Sequence, residues 1–156
     1  MINFRHLVSP ECIILQLEKS EHEEVVLEMI GHLAEIGKIA SKDCYRYSQA
    51  VMERESQTGT GLGSGIAIPH ARVPGLKEEV AVYGRSEEGV DFESPDQGLA
   101  HHVCLLLVPE DGASNHLKIL RELAKVFSQA DLRKKIRSAQ SAEEISELLC
   151  IGAVDL

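Results

Sequence analysis

The sequence predicts a single α/β domain over residues 1–156, in which a mixed β-sheet is flanked by helices. Residues 103–108 are continuously apolar, which is typical of a strand that helices cover on both faces. Segments with apolar residues at helical spacing stand on both sides of this run. Because strand-like and helix-like segments are mixed along the chain, we expect helices packed on a largely buried sheet.

Length and composition limit the possible functions. With 156 residues, 44% of them apolar, the chain is long enough to bury one core. The net charge of −9 would repel nucleic acid and anionic membranes, and leaves a basic protein partner possible. We find neither a signal-peptide core nor an apolar run near the roughly 20 residues that span a bilayer, so we expect a cytoplasmic protein without membrane insertion.

Four cysteines stand far apart and form no C-x-x-C pair, so they predict reduced core residues rather than disulfides or a zinc site. They are Cys12, Cys44, Cys104 and Cys150.

Turn and cap signals divide the chain into elements. Residues 12–17 predict a strand, and Ser20 with Glu23 predicts a capping box that begins a helix ending at Gly37. The apolar stripe of that helix is Val26, Met29, Ile30, Leu33 and Ile36. Further helices are predicted from Ser41 to about Glu55, over 115–127 and over 132–136. The last helix begins at a capping box of Ser141 with Glu144. Further strands are predicted over 66–68, 80–83 and 90–92.

Residues 60–70, TGLGSGIAIPH, form a glycine-rich loop that leads through a short apolar strand into His70. A nucleotide P-loop is excluded because no lysine lies between residues 58 and 72. The dinucleotide fingerprint fails because its third glycine is missing, and the nucleophile elbow G-x-S-x-G fails because Leu62 and Ile66 stand two positions from Ser64, where the motif needs glycine. What remains is a turn rich in backbone amides.

Three residues are candidates for chemistry, although each also has an ordinary structural explanation. His70 could be a partly exposed polar residue, and Arg54 could offset the dipole at a helix C-terminus. His116 could be a surface histidine at the start of a helix. Taken singly, each residue favours the structural explanation.

Together these segments resemble the mannitol/fructose-type enzyme IIA domains of the bacterial phosphoenolpyruvate-dependent phosphotransferase system, particularly their nitrogen-regulatory branch. Arg54 and Glu55, followed by residues 60–70, match the first family motif, and residues 115–117 (NHL) match the second. Residues 9–13 also look familial, so the resemblance covers nearly the whole chain.

The resemblance implies a phosphoryl carrier. His70 would accept the phosphoryl group from a histidine phosphocarrier protein, either the sugar-system protein HPr or a nitrogen-branch paralogue, through the ring nitrogen farther from the backbone. Its other ring nitrogen would donate to a main-chain carbonyl. His116 and Arg54 would bind the phosphoryl oxygens, with no metal or cofactor. Amides of the loop would help to bind phosphate; the residues concerned are Gly61, Gly63, Ser64 and Gly65.

Two positions depart from the family pattern, and the first of them favours the regulatory branch over sugar transport. Ser64 stands where mannitol-transporting members carry an acidic residue, and Ala71-Arg72 replaces a frequent Gly-Lys. The alternative within the family is a sugar-transport domain that passes phosphate to a separate enzyme IIB.

Other classes of function are open. An interaction module without the chemistry would lack His70, Arg54 or His116, and all three are present. A small phosphate-ester or nucleotide enzyme would need a P-loop lysine, a carboxylate pair or a nucleophile elbow. The pair His101 and His102 suggests a metal, but consecutive strand residues point to opposite faces, so we assign both a structural role.

Overall fold

The computed structural model describes residues 3–57, 59–111 and 115–153. The helices are α1 (Phe4–Leu7), α2 (His22–Glu35), α3 (Cys44–Gln57), α4 (His116–Phe127), α5 (Ala130–Ser138) and α6 (Ala142–Ala153). The strands are β1 (Ile13–Ile14), β2 (Gly61–Gly63), β3 (Ile66–Ala67), β4 (His70–Val73), β5 (Val80–Val90) and β6 (Ala100–Pro109). Short 3-10 turns cover Pro10–Cys12 and Ser41–Asp43. No helix within the described ranges combines the length and apolar character needed to cross a bilayer.

All of these strands belong to one mixed sheet in the order β1-β5-β6-β3-β2, with β4 also pairing with β6. Strands β5 and β6 are antiparallel, whereas β3 and β4 run parallel to β6 along one edge of it. The two short strands follow one another along that edge, with Ile66 opposite His102 and His70 opposite Leu106. This register decides which loops lie near His70.

Strand β6 is the centre of the core, as its apolar run predicts. Its side chains alternate between two hydrophobic clusters: Cys104, Leu106 and Val108 pack with residues of α4, α5 and α6, while Val103, Leu105 and Leu107 pack with those of α2 and α3. Helices therefore cover both faces of the sheet, and the predicted fold class is confirmed.

Two predicted strands are wrong in extent. The segment 12–17 forms a regular ladder only at Ile13–Ile14, although the Leu17 amide still donates to the carbonyl of Arg85. Leu17 folds its side chain over Gly84, where a Cβ atom would lie 2.7 Å from Leu17 Cδ2. The stretch 90–92 is no separate strand, because β5 runs through the polar residues between 83 and 90 with a register shift against β6.

The N-terminal cap of α2 also differs from the prediction. Glu21 is the cap, and its carboxylate accepts from the amide of Glu23 at 3.2 Å, so the expected capping box of Ser20 with Glu23 is wrong. The acidic side chain also suits the positive end of the helix dipole. At α6, the Glu144 amide does donate to Ser141 Oγ at 3.1 Å, but the Glu144 carboxylate accepts from the amide of Gln140.

Acid should destabilise the fold through His102. Burial, followed by the positive charges of Arg137, His101, Arg133 and Arg85, lowers the pKa of His102 to about 4. In the unfolded chain the pKa is about 6.5, so below that pH the unfolded state binds a proton that the folded state refuses. Stability is unaffected above pH 6.5 and is lost as the pH falls towards 4, by up to about 3 kcal/mol.

Urea unfolding at pH 7 and pH 4 would measure this loss in the wild type and in His102→Gln. We expect the variant to lose less stability on acidification. An equal loss in both proteins would show that His102 does not contribute to acid sensitivity.

Candidate functional site

His70 is the first residue of β4. Its backbone belongs to the sheet, and its side chain is hydrogen-bonded to a backbone carbonyl two residues earlier. It is 8% exposed, and its Nδ1 lies 2.8 Å from the carbonyl oxygen of Ile68. A carbonyl only accepts, so Nδ1 carries the proton and donates. Nε2 is then the ring nitrogen with a free lone pair, the tautomer that a nucleophilic imidazole requires.

His116 meets His70 from the next layer. It is the first residue of α4, and the two ring centroids lie 4.9 Å apart with the rings tilted by 57°. The residue before it is anchored to the start of β5: Glu79 Oε1 accepts from the Asn115 amide at 3.3 Å and from Asn115 Nδ2 at 3.0 Å. Glu79 therefore fixes the beginning of the helix that brings His116 to His70.

Electrostatics keep both imidazoles neutral. Burial has the largest effect and lowers the pKa of His70; the Ile68 hydrogen bond opposes it, the charge of Arg54 lowers the pKa further, and Glu55 has a small raising effect. Burial also lowers the pKa of His116, with further contributions from His70, Arg72 and Arg54. Near pH 7 the unprotonated Nε2 of His70 is therefore the dominant form.

Arg54 lies in the last turn of α3, close enough for its charge to act on both histidines. It is half-buried, and no carboxylate in the described part of the chain comes within 4.0 Å of it. Its neighbour Glu55 accepts from the amide and hydroxyl of Thr60, which ties the end of α3 to the following loop. An arginine without a carboxylate partner can bind an anion without first breaking an ion pair.

The glycine turn lies away from this pair. Strands β2 and β3 form a hairpin, and Gly65 at its turn accepts from the amides of His101 and His102. Leu106, the partner of His70, is four positions after His102 in β6, which is about 13 Å of strand. The Ser64 amide, moreover, donates to Asp96 Oδ2 at 3.1 Å.

The expectation that the turn binds the phosphoryl group therefore needs correction. The structure does not bring Gly63, Ser64 and Gly65 to His70, because the hairpin places their amides at the opposite end of the short edge strands. Gly61 is packed against residues 92–94, where a Cβ would lie 2.3 Å from Ser94 Oγ. Its glycine is explained by close packing.

Comparison with known proteins fits this geometry. Residues 6–150 match the family model described as "Phosphoenolpyruvate-dependent sugar phosphotransferase system, EIIA 2". The chain belongs to this family. Domains of this family are phosphotransferase components that work through a phosphohistidine intermediate, and the chain is a phosphoryl carrier of that system.

Similar proteins come from both branches of the family. The chain is 30% identical over 145 residues to the nitrogen regulatory protein of Bradyrhizobium diazoefficiens, covering 93% of each protein. It is 35% identical over 143 residues to the fructose-specific EIIABC component of Bacillus subtilis, covering 92% of this chain and 22% of that protein's length. The crystal structure of the nitrogen regulatory protein IIA-Ntr from Neisseria meningitidis superposes with a TM-score of 0.83 at 31% identity, covering 93% of this chain and 97% of that one.

Sequence reasoning missed the carboxylates that support the site of this EIIA domain. Glu79 lies 36 positions before Asn115, its hydrogen-bond partner, and an acidic residue in a chain with 25 of them carries no signal of its own. Glu55 is adjacent to the candidate residue Arg54, and this adjacency is the one sequence signal that could point to it. Its contact with Thr60 depends on the turn between them and could only be seen in the fold.

The pair His101 and His102 is built into the sheet of the EIIA domain. His101 Nδ1 donates to the carbonyl of Ser86 at 2.9 Å, whereas His102 Nδ1 lies 2.8 Å from the hydroxyl oxygen of Tyr83. Across residues 3–57, 59–111 and 115–153, no three His, Cys, Asp or Glu side chains are grouped as metal ligands.

Proposed function

We propose that this EIIA domain carries the phosphoryl group on Nε2 of His70 and regulates other proteins according to its phosphorylation state. The observation that supports this assignment is the buried His70, whose Nδ1–H donates to Ile68 and leaves Nε2 bare beside His116. The donor would be a histidine phosphocarrier protein, HPr or a nitrogen-branch paralogue.

Phosphoryl transfer from the donor histidine to His70 needs no general base. The lone pair of His70 Nε2 attacks phosphorus, a new N–P bond forms, and the N–P bond of the donor histidine breaks with its electron pair returning to the donor ring. His70 keeps its Nδ1 proton on the Ile68 carbonyl throughout. His116 and Arg54 donate hydrogen bonds to the phosphoryl oxygens and stabilise the charge spread over them.

Phosphorylation would change a buried neutral site into one carrying a charge of about −1.5 to −2. A partner that docks over His70 would meet a different electrostatic surface in the two states, which is what a regulator by docking requires. Ser64 in place of the acidic residue of mannitol transporters and the likeness to nitrogen regulatory proteins support this role.

The second candidate is a sugar-transport EIIA domain that hands the phosphoryl group to an enzyme IIB. The 35% identity to a fructose-specific EIIABC component favours it. Both candidates use the same chemistry at His70, and they differ in the acceptor.

Reconstitution tests the proposal and separates the candidates. Incubated with phosphoenolpyruvate, enzyme I and a histidine phosphocarrier protein, the chain should gain one acid-labile phosphoryl group, measured by intact mass. When a fructose-type enzyme IIB is then added, we expect the label to stay on this chain. Rapid transfer to enzyme IIB would contradict the regulatory proposal in favour of transport, and no labelling at all would contradict both.

A further inference from the structure

A basic cleft opens at the end of β6 opposite to His70. It has a volume of about 640 Å³ and lies between the Ser64–Gly65 turn, Leu99 and helix α5. The residues that α5 contributes stand at positions i, i+3, i+4 and i+7, so they share one helix face. They are Ala130, Arg133, Lys134 and Arg137, and Ser138 at the end of the helix also lines the cleft.

The positive charge of this face is uncompensated, although the whole chain carries −9. No carboxylate lines the cleft among the described residues, and none comes within 4.0 Å of Arg133, Lys134 or Arg137. Asp96 adjoins the cleft through bonds from the amides of Ser64 and Gly98, and these bonds lower the pKa of its carboxyl. Backbone N–H groups, not the cations, therefore bind this carboxylate.

His102 adds a buried polar group to the cleft. His102 is one of the residues that line the cleft, yet it is only 2% exposed. Burial raises the pKa of Tyr83 well above its usual range, so the Tyr83 hydroxyl keeps its proton and can donate to His102 Nδ1. In that arrangement Nε2 of His102 carries a proton, and it donates to no atom of the described residues.

The wall of the cleft is held in place before any ligand arrives. Arg133 Nη1 donates to the carbonyl of Phe127, and Arg85 Nη1 donates to the carbonyls of Ile136 and Ala139 at the end of α5. Arg85 therefore positions the helix and does not face a ligand. The end of the helix backbone and the Arg133 side chain are therefore ordered before binding, which reduces the conformational entropy lost there.

We propose that this cleft binds a small organic phosphate with two or more negative charges. Arg133, Lys134 and Arg137 would bind the phosphate oxygens along one wall, and His102 Nε2–H would donate from the floor. Guanidinium forks match phosphate geometry, and a volume of about 640 Å³ suits a small molecule. Leu99, 46% exposed at the cleft, offers an apolar contact for the organic part of the ligand.

This site is separate from the phosphoryl carrier site and does not depend on the proposed function. Ile66 lies opposite His102 and His70 opposite Leu106, about 13 Å apart along β6. Nucleic acid is the disfavoured ligand because the rest of the acidic chain would repel a long polyanion, whereas a small phosphate meets only the local cations.

Calorimetric titration of the full chain at low salt with pyrophosphate and with fructose 1,6-bisphosphate tests the proposal. We expect a Kd below about 1 mM for at least the bisphosphate. In an NMR titration with the same probes, the ring resonances of His102 should shift and those of His70 should not. Lys134→Gln and Arg137→Gln should each weaken binding about tenfold. The backbone carbonyls that α5 presents to Arg85 remain in both variants, so the helix should stay in place.

Lys135→Gln is the matched control, because Lys135 is an exposed cation on the same helix that does not line the cleft. It should leave the affinity unchanged. An equal loss in Lys135→Gln and Arg137→Gln would overturn the proposal, since attraction would then reflect the charge of the helix as a whole. Absence of heat up to about 5 mM fructose 1,6-bisphosphate, or binding of an RNA oligonucleotide alone, would overturn it as well.

Discussion

We expect His70→Gln to abolish phosphorylation of this EIIA domain by a histidine phosphocarrier protein. The labelling rate should fall by more than about 10⁴-fold, because the substitution removes the imidazole nitrogen that forms the N–P bond in the proposed transfer. Glutamine retains a side chain that can hydrogen-bond to Ile68, and its amide nitrogen is no nucleophile. The loss should therefore arise in chemistry, with the melting temperature little changed.

His32→Gln is the control for this variant. His32 is half-buried on α2 and its Nε2 lies 2.7 Å from the carbonyl oxygen of Glu11, so its hydrogen bond engages the ring nitrogen that His70 leaves bare. Intact-mass kinetics with phosphoenolpyruvate, enzyme I and phosphocarrier should show wild-type labelling of His32→Gln. A phosphoryl group on His70→Gln, stable enough to map to another residue, would disprove the assignment of His70.

The central strand and the helices could be predicted because their signals are local. The apolar run at 103–108 needs both faces covered, and the leucine stripe of the segment 115–127 matches helix α4 (His116–Phe127) to within one residue. Strand β5 could not be predicted whole, since its residues between 83 and 90 are polar and Gly89 adopts a φ of +94°. Pairing with β6, a long-range interaction, keeps that segment extended.

For the candidate site, too, the sequence alone could not predict long-range arrangement. The three functional candidates were identified by resemblance, and the structure brings His70 and His116 together with Arg54 acting on both. The glycine turn is close to His70 in sequence, whereas the hairpin register places it at the other end of the edge strands. Proximity in sequence is a poor guide across a tight hairpin.

Arg54→Gln should slow phosphorylation of His70 by about 100-fold or more and raise the pKa of His70. The rate falls because the variant loses a cation that stabilises the transferring phosphoryl group. The pKa rises because Arg54 lowers it in the wild type, and a nearby positive charge disfavours imidazolium. Burial still lowers the pKa, so we expect the new midpoint to stay below the ordinary histidine value.

Two measurements separate this role from a purely structural one. Labelling kinetics give the rate, and an NMR titration of the His70 ring protons gives the pKa in the same protein. Arg54→Lys should restore the pKa, since it keeps the charge, but only part of the rate, since an ammonium cannot donate two parallel hydrogen bonds to phosphate. Arg121→Gln, an exposed cation on α4, is the control and should change neither quantity. If Arg54→Gln slows labelling without moving the pKa upward, Arg54 acts through folding or docking, because a cation whose charge reaches His70 cannot be removed without making the ring easier to protonate.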